Sequence, residues 1–475
     1  MQPPGATTPP ITPTTPRPHE GRLIVVANRL PVSRSTDPGN PWKTSPGGLV
    51  SALAPLLRSV DGAWVGWGGI SGEVPEPFHH EGLHLHPVGL DEEELETFYQ
   101  GFCNTTLWPL YHDCVRWPEF RRRWWAPYVK VNERFAEATC KTLGHGDTAW
   151  IHDYHLQLVP KFVRESRPDA KIGFFSHIPF PPIELFAQIP WRRQILEGLL
   201  GADLLGFQTI YGAKNFVRAV RRFTHARGTS NTIEFEGRRI TVGGFPISID
   251  VQHYRRLAAM PKVQEMARTI RKNIGPDKKI FLGVDRLDYT KGIDRRLRAF
   301  ETLLQQLGPD AQKVAFIQLA VPSRELVPQY AQIRNVVEQH VGRINGDWGT
   351  PHHVPVHYMY RSLPADELVA HYLAADVMAV TPLRDGMNLV AKEFVASRLK
   401  ADGVLVLSEF TGAAQELKRA LLVNPHDIDG MANAFRHAME MPDPEVRQRM
   451  SALLRVVGKN DVHVWADNFL GSLEH

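Results

Sequence analysis

The chain has 475 residues, a formal net charge of +4, 43% hydrophobic and 22% charged residues, the composition of an ordinary globular protein. That length exceeds what one hydrophobic core serves and implies two domains or three. No apolar run is long enough to span a membrane, and the mild positive balance suits acidic small molecules as well as nucleic acid. Three widely spaced cysteines (Cys103, Cys114 and Cys140) with no CxxC pair indicate neither a disulfide framework nor a zinc site. They point to a reducing, cytoplasmic compartment.

Residues 1–20 are mostly Pro and Thr without apolar periodicity, which predicts a disordered tail leaning to polyproline II. It has no apolar h-region and is not read as a secretory signal. Order is expected from Arg22, with a strand over 23–27 that ends in Asn28 and Arg29. A polar loop leads to Ser45-Pro46-Gly47-Gly48, and a helix is expected over 49–58. Further strands over 148–151, 171–175 and 204–207 end in His152-Asp153-Tyr154-His155, Ser176-His177 and Gln208-Thr209. The first series closes near 243–247, and a helix-rich stretch over 251–273 leads to a second. There 279–284 ends in Asp285-Arg286, 314–319 runs on to Arg324, 377–380 ends in a polar turn, and 404–407 ends in Ser408-Glu409. Alternating strands and helices imply an α/β protein with parallel sheets covered on both faces. Two such series in succession suggest two facing Rossmann-like domains, 21–247 and 248–458.

The polar residues fall into register on that frame. Arg29, Asp153, His177, Arg286, Arg324 and Asp385 each follow the C-terminal end of an expected strand, the side on which open α/β sheets bind ligands. After the strand at 377–380 comes a turn through Asp385-Gly386 and then helical spacing from Met387. A helix N-terminus there offers the N–H groups of Leu389 and Val390 to a phosphate. Glu393 lies one turn on, roughly 6 Å along the axis, where a carboxylate can accept from ribose hydroxyls. Asp385 is placed to face a sugar. An ordinary βα unit with exposed Asp and Glu is the alternative. Arg286 and Lys291, with Gly292 permitting close approach, suit a diphosphate; the alternative is a surface turn whose cations pair with Asp285 or Asp288. Arg29 and Arg324, one from each domain, suit a second anion.

Other clusters carry less. His152, Asp153 and His155 cannot all converge on a metal, because successive strand side chains face opposite ways. Asp153 is better suited to sugar hydroxyls, and His177 either orients a hydroxyl or is a satisfied core histidine. Arg121-Arg122-Arg123-Trp124-Trp125 reads as a solvated helix entry more than a nucleic-acid site. Gly66-Trp67-Gly68-Gly69-Ile70-Ser71-Gly72 opens no clear helix, which leaves a dehydrogenase reading weak. The sequence has no Walker A motif and no GxSxG elbow.

From Arg22 to Leu473 the chain resembles the trehalose-6-phosphate synthase family, the retaining glucosyltransferases of glycosyltransferase family 20. The carrying segments include Ala27-Asn28-Arg29, Ser45-Pro46-Gly47-Gly48-Leu49, Leu107-Trp108-Pro109, 150–155, 174–181, 205–209, 284–292, 320–324, Gly342-Arg343-Ile344-Asn345-Gly346 and 381–393. The resemblance implies a GT-B fold, with 459–475 as a C-terminal helix crossing back onto the first domain. It implies glucose 6-phosphate as acceptor, its phosphate on Arg29 and Arg324 and its ring positioned by Tyr99, Trp108 and Asp153. The nucleoside-diphosphate glucose (UDP-, ADP- or GDP-glucose) is expected on Gly47, Gly48, Arg286, Lys291, Gly386, Met387, Asn388, Leu389, Val390 and Glu393. Its base is expected near Leu363 and its glucose between His177 and Asp385. His177, Arg286, Lys291 and Asp385 are the implied catalytic set, with no metal, no further cofactor, and no nucleic-acid or membrane partner. Assembly into a dimer or tetramer is expected. The absence of a DxDxT motif assigns product dephosphorylation to a separate phosphatase. A related transferase with another acceptor, such as a glucosylglycerol-phosphate synthase, and a non-catalytic sugar-phosphate sensor are the competing readings.

Overall fold

The computed structural model describes residues 21–35, 41–45, 50, 53–54, 57–58, 61–113, 115–324 and 327–474. The Pro/Thr-rich tail, Gly47, Gly48 and Cys114 lie outside the described residues. Part of the long loop over 33–44 is a hairpin, in which β2 (Val32–Arg34) pairs antiparallel with β3 (Trp42–Thr44).

Buried β-branched and aliphatic runs form the strands of two larger sheets. The first holds β1 (Leu23–Arg29), β4 (Ala63–Trp67), β5 (Phe78–His80), β6 (Leu83–Val88), β7 (Thr148–His152), β8 (Lys171–Ser176), β9 (Leu204–Phe207), β10 (Arg227–Gly228), β11 (Thr232–Phe235) and β12 (Arg238–Gly244). Its parallel part runs β6-β4-β1-β7-β8-β9-β12, with antiparallel strands at both edges. The second holds β13 (Lys279–Arg286), β14 (Val314–Val321), β15 (Val356–Tyr360), β16 (Val377–Val380), β17 (Val404–Ser408) and β18 (Leu421–Val423). Its order is β15-β14-β13-β16-β17-β18, parallel throughout. Counted along the chain over their parallel strands, both sheets have the doubly wound order in which the first strand lies beside the fourth. The crevice between those two strands is where such sheets take ligands. In the first sheet it lies between β1 and β7, in the second between β13 and β16.

The chain passes between the sheets twice, and the passages touch. Val462 N–H donates to Ile249 C=O at 3.0 Å. Buried Lys392 Nζ donates to Ile247 C=O at 2.8 Å and pairs with Glu416 at 2.7 Å, whose other oxygen accepts from Asn460 at 3.1 Å. The helix Val462–Glu474 then lies on the first sheet, although its sequence follows the second. Phe469 stacks on Trp150 with centroids 4.7 Å apart, and Trp465 lies 5.0 Å from the same ring. Gly173 of β8 and Gly206 of β9 make that slot: a Cβ on either would come within 2.8 Å and 2.6 Å of the Phe469 ring. Among the described residues, no helix is long and apolar enough to cross a membrane.

Two further elements bear on the site. The basic-aromatic segment opens the helix Arg122–Thr142 with its three arginines exposed, as a solvated helix entry, while Trp124 is buried with Arg121 over its ring at 5.0 Å. The stretch Leu95–Leu107 is a wide helix of the π type, in which Trp108 N–H reaches Cys103 C=O five residues back. Long π-helices are rare and gather at functional sites; this one carries Tyr99 and delivers Trp108.

Candidate active site

Both crevices open toward one another, and their lips carry the charged residues. On the first domain, Arg29 ends β1 and its guanidinium lies 4.5 Å from the Trp67 ring centroid. Gly66 within β4 and the glycines of the turn after it make room for it: a Cβ on Gly66 would press on the Arg29 carbonyl carbon, and one on Gly69 would lie 2.7 Å from its Nη1. Tyr99 is tilted toward Trp67 at 6.3 Å and stacks on His155 at 5.8 Å. Burial first, and then the charges of Arg324, Arg29 and Arg286, hold the His155 imidazole well below its usual range. One buried ring thus feels cations from both domains.

Asp153 follows β7 at φ 74° and ψ 169°, outside the αL well and in a strained region that glycine normally occupies. Its carboxylate accepts the His177 backbone N–H at 3.1 Å. Burial raises it to about 6, against the pull of the Tyr154 and His177 N–H groups and of Arg324 and Arg286. His177 follows β8; burial lowers it to about 3, so the ring is neutral.

The second domain supplies the remaining cations. Arg324, also at positive φ (49°), reaches across to lie 3.8 Å from the Trp108 ring centroid and donates to Tyr154 Oη at 3.0 Å. Asp288, 3.3 Å away, and the Tyr330 hydroxyl fix it from behind. Arg286 ends β13 and lies 5.6 Å from the same Trp108 ring. Lys291 Nζ donates to Asp385 Oδ2 at 2.6 Å, and Asn388 Nδ2 donates to the same oxygen at 3.1 Å. Burial pushes Asp385 up, but Lys291 overcomes it and holds the carboxyl below its usual range. Neither Arg286 nor Lys291 forms the surface pairs that were the alternative: Asp285 binds the fully buried Arg296, and Asp288 binds Arg324.

Gly386 touches the opposite domain. A Cβ there would overlap the His177 carbonyl oxygen, so the turn after β16 packs directly on the turn after β8. Met387 is buried, and Asn388, at φ 83°, caps the helix Leu389–Ser397 by accepting from Ala391 N–H at 3.2 Å. The N–H groups of Leu389 and Val390 belong to the first turn and have no partner within the helix. Glu393 is more enclosed than its spacing suggested. It accepts from Tyr372 Oη at 2.7 Å and from Tyr254, and burial raises its carboxyl despite both bonds. Leu363 is half-buried at the rim of the apolar cluster that also takes in Met387, Leu389 and Val390.

The sequence reading missed the supports. Tyr154, Asp288 and Tyr330 hold Arg324, while Tyr254 and Tyr372 hold Glu393. Asp288 lay within a motif that was read for its cations. Tyr330 and Tyr372 sit on helices with no signal beyond an ordinary core aromatic.

Comparison with known proteins matches the family model "Glycosyltransferase family 20" over residues 21–475. The trehalose-6-phosphate synthase of Mycolicibacterium smegmatis is 52% identical over 462 residues, covering 95% of this chain and 92% of that protein. An α,α-trehalose-phosphate synthase (UDP-forming) from Burkholderia xenovorans, solved in complex with glucose-6-phosphate, superposes with a TM-score of 0.88 at 36% identity, covering 96% of this chain and 100% of that one. A structure from E. coli bound with UDP-2-fluoro glucose gives 0.87 at 34% identity, covering 96% and 99%.

Proposed function

Because the chain belongs to glycosyltransferase family 20, we propose that it transfers glucose from a nucleoside-diphosphate glucose to glucose 6-phosphate with retention, forming α,α-trehalose 6-phosphate. The observation that carries this reading is the Trp108 indole with Arg324 and Arg286 over it, at 3.8 and 5.6 Å. It supports two anion sites a single ring apart, one for a monophosphate on Arg324 and Arg29, one for a diphosphate on Arg286 and Lys291. Two phosphorylated substrates meeting head to head need that spacing.

The bond from the anomeric carbon to the diphosphate oxygen breaks. The new bond to the acceptor hydroxyl forms on the same face, and the hydroxyl proton passes to the departing diphosphate. No enzyme nucleophile is needed, so rate enhancement comes from positioning and from neutralising the leaving group. Arg286, Lys291 and the N–H groups of Leu389 and Val390 provide that charge. Asp385 aims Lys291, and with His177 and Gly386-Met387-Asn388 it lines the place for the transferred hexose. Asp153, Tyr99 and Trp108 take the acceptor ring, and Glu393 takes the ribose. A coupled assay of nucleotide release with glucose 6-phosphate, run separately with UDP-, ADP- and GDP-glucose, tests the proposal. Acceptor-dependent release is expected, and the ranking identifies the base. No release with any donor, from protein that still binds glucose 6-phosphate, would overturn it in favour of a sensor.

A further inference from the structure

His152 ends β7 fully buried, and its Nδ1 lies 3.0 Å from His177 Nε2. Its ring is walled by Trp150 at 4.8 Å and Phe175 at 6.3 Å, and its Nε2 is sealed from solvent without a partner. Burial holds both imidazoles neutral. A contact between two neutral imidazoles needs one N–H and one lone pair, so only two arrangements exist. If His177 donates from Nε2, then His152 must carry its proton on Nε2, as a buried N–H with nothing to bond. If His152 donates from Nδ1, its Nε2 is a bare acceptor. Orphaned buried N–H groups are the rarer of the two.

We propose that His152 is a positioning residue that locks His177 in the Nδ1–H tautomer, making His177 a fixed hydrogen-bond donor toward the hexose of the nucleotide sugar. His177 Nδ1 has no partner among the described residues and is not sealed from solvent. In this tautomer it donates to a hydroxyl oxygen and cannot accept. The tautomer follows from the His152 contact alone, whereas its use in binding rests on the transferase reading above.

The test has a spectroscopic arm and a kinetic arm. Imidazole nitrogen spectra are recorded on the full chain labelled at histidine, with the His177 signals among the 21 histidines identified by their loss in His177→Gln. The wild type should show a protonated Nδ1 and a bare Nε2 at His177; a protonated Nε2 would overturn the proposal. His152→Phe keeps the ring and removes the donor, and should mix the tautomers. It should lower kcat/KM for the nucleotide sugar about tenfold, the scale of one hydrogen bond, with the KM for glucose 6-phosphate unchanged. His152→Asn restores an amide donor near the Nδ1 position and should recover most of that loss. Wild-type donor kinetics in His152→Phe, or equal loss in both variants, would overturn the role. Should the wild type prove inactive, the transferase reading fails, and the spectra still decide the tautomer.

Discussion

At the residue scale the site is a set of charges aimed by other charges. Lys291 is held by Asp385 at 2.6 Å with both side chains largely buried, so its ammonium needs no search for the leaving group. Lys291→Ala should lower kcat by about two to three orders of magnitude, the usual loss of one charge-stabilising donor, while circular dichroism shows a retained fold. Wild-type turnover by that variant would remove Lys291 from the mechanism. Asp153 gives a pH signature. Burial raises its folded value from 3.8 to about 6, so the folded chain keeps this proton where the unfolded chain has lost it. The associated stability is present below pH 3.8 and is lost as pH rises through about 6. In catalysis the sign reverses, because the ionised form is the one that accepts from sugar hydroxyls. The KM for glucose 6-phosphate should climb as pH falls below about 6. Asp153→Asn should have a higher KM throughout and lack that limb. The acceptor phosphate titrates identically for both proteins, so the difference between the two profiles isolates Asp153.

At the scale of elements, the strands were legible because each is an apolar run cut off by a polar residue. Val377 to Val380 against Asp385, or Lys279 to Val284 against Arg286, is a boundary written in composition. Position past a strand end was therefore enough to collect Arg29, Asp153, His177, Arg286, Arg324 and Asp385. The wide helix at Leu95–Leu107 was not legible, since its period differs from 3.6 by less than its side-chain pattern resolves. The glycine-rich stretch from Gly66 to Gly72 was set aside as a weak dinucleotide fingerprint, and its use is steric, accommodating Arg29. Glu393 was correctly spaced, yet its enclosure by Tyr372 and Tyr254 depends on two other helices. Glycine also decides how the last helix docks. A Cβ on Gly173 falls 2.8 Å from the Phe469 ring, so Gly173→Ala should cost about 1–3 kcal/mol by overpacking, read as a lower urea midpoint in tryptophan fluorescence. Shortening the intruding ring, in Gly173→Ala/Phe469→Leu, should recover part of the loss; strictly additive losses would show that the slot is not what couples them.

At the scale of the molecule, the two domains meet across the cleft through a small set of side-chain and backbone contacts. These are Arg324 with Trp108 and Tyr154, Arg384 with Asp113 at 3.1 Å, and Gly386 against the His177 carbonyl. Gly386→Ala inserts a methyl group into the last of these and should hold the domains apart. The variant should fold, show a larger radius of gyration by small-angle scattering, and lose about a hundredfold in turnover, the scale of an ångström of misplacement. An unchanged radius together with wild-type turnover would show that this contact does not govern closure. The docking of helix Val462–Glu474 on Trp150 also has a consequence for how the protein is made. The ribosome delivers the strands of the first sheet early, but Trp465 and Phe469, which cover Trp150 and Phe175, emerge only after all the strands of the second sheet. Throughout synthesis of the second domain the nascent first domain presents an uncovered aromatic face, the kind of surface that chaperones bind and that aggregates. Termination anywhere before Trp465 leaves Trp150 and Phe175 without these two covering rings.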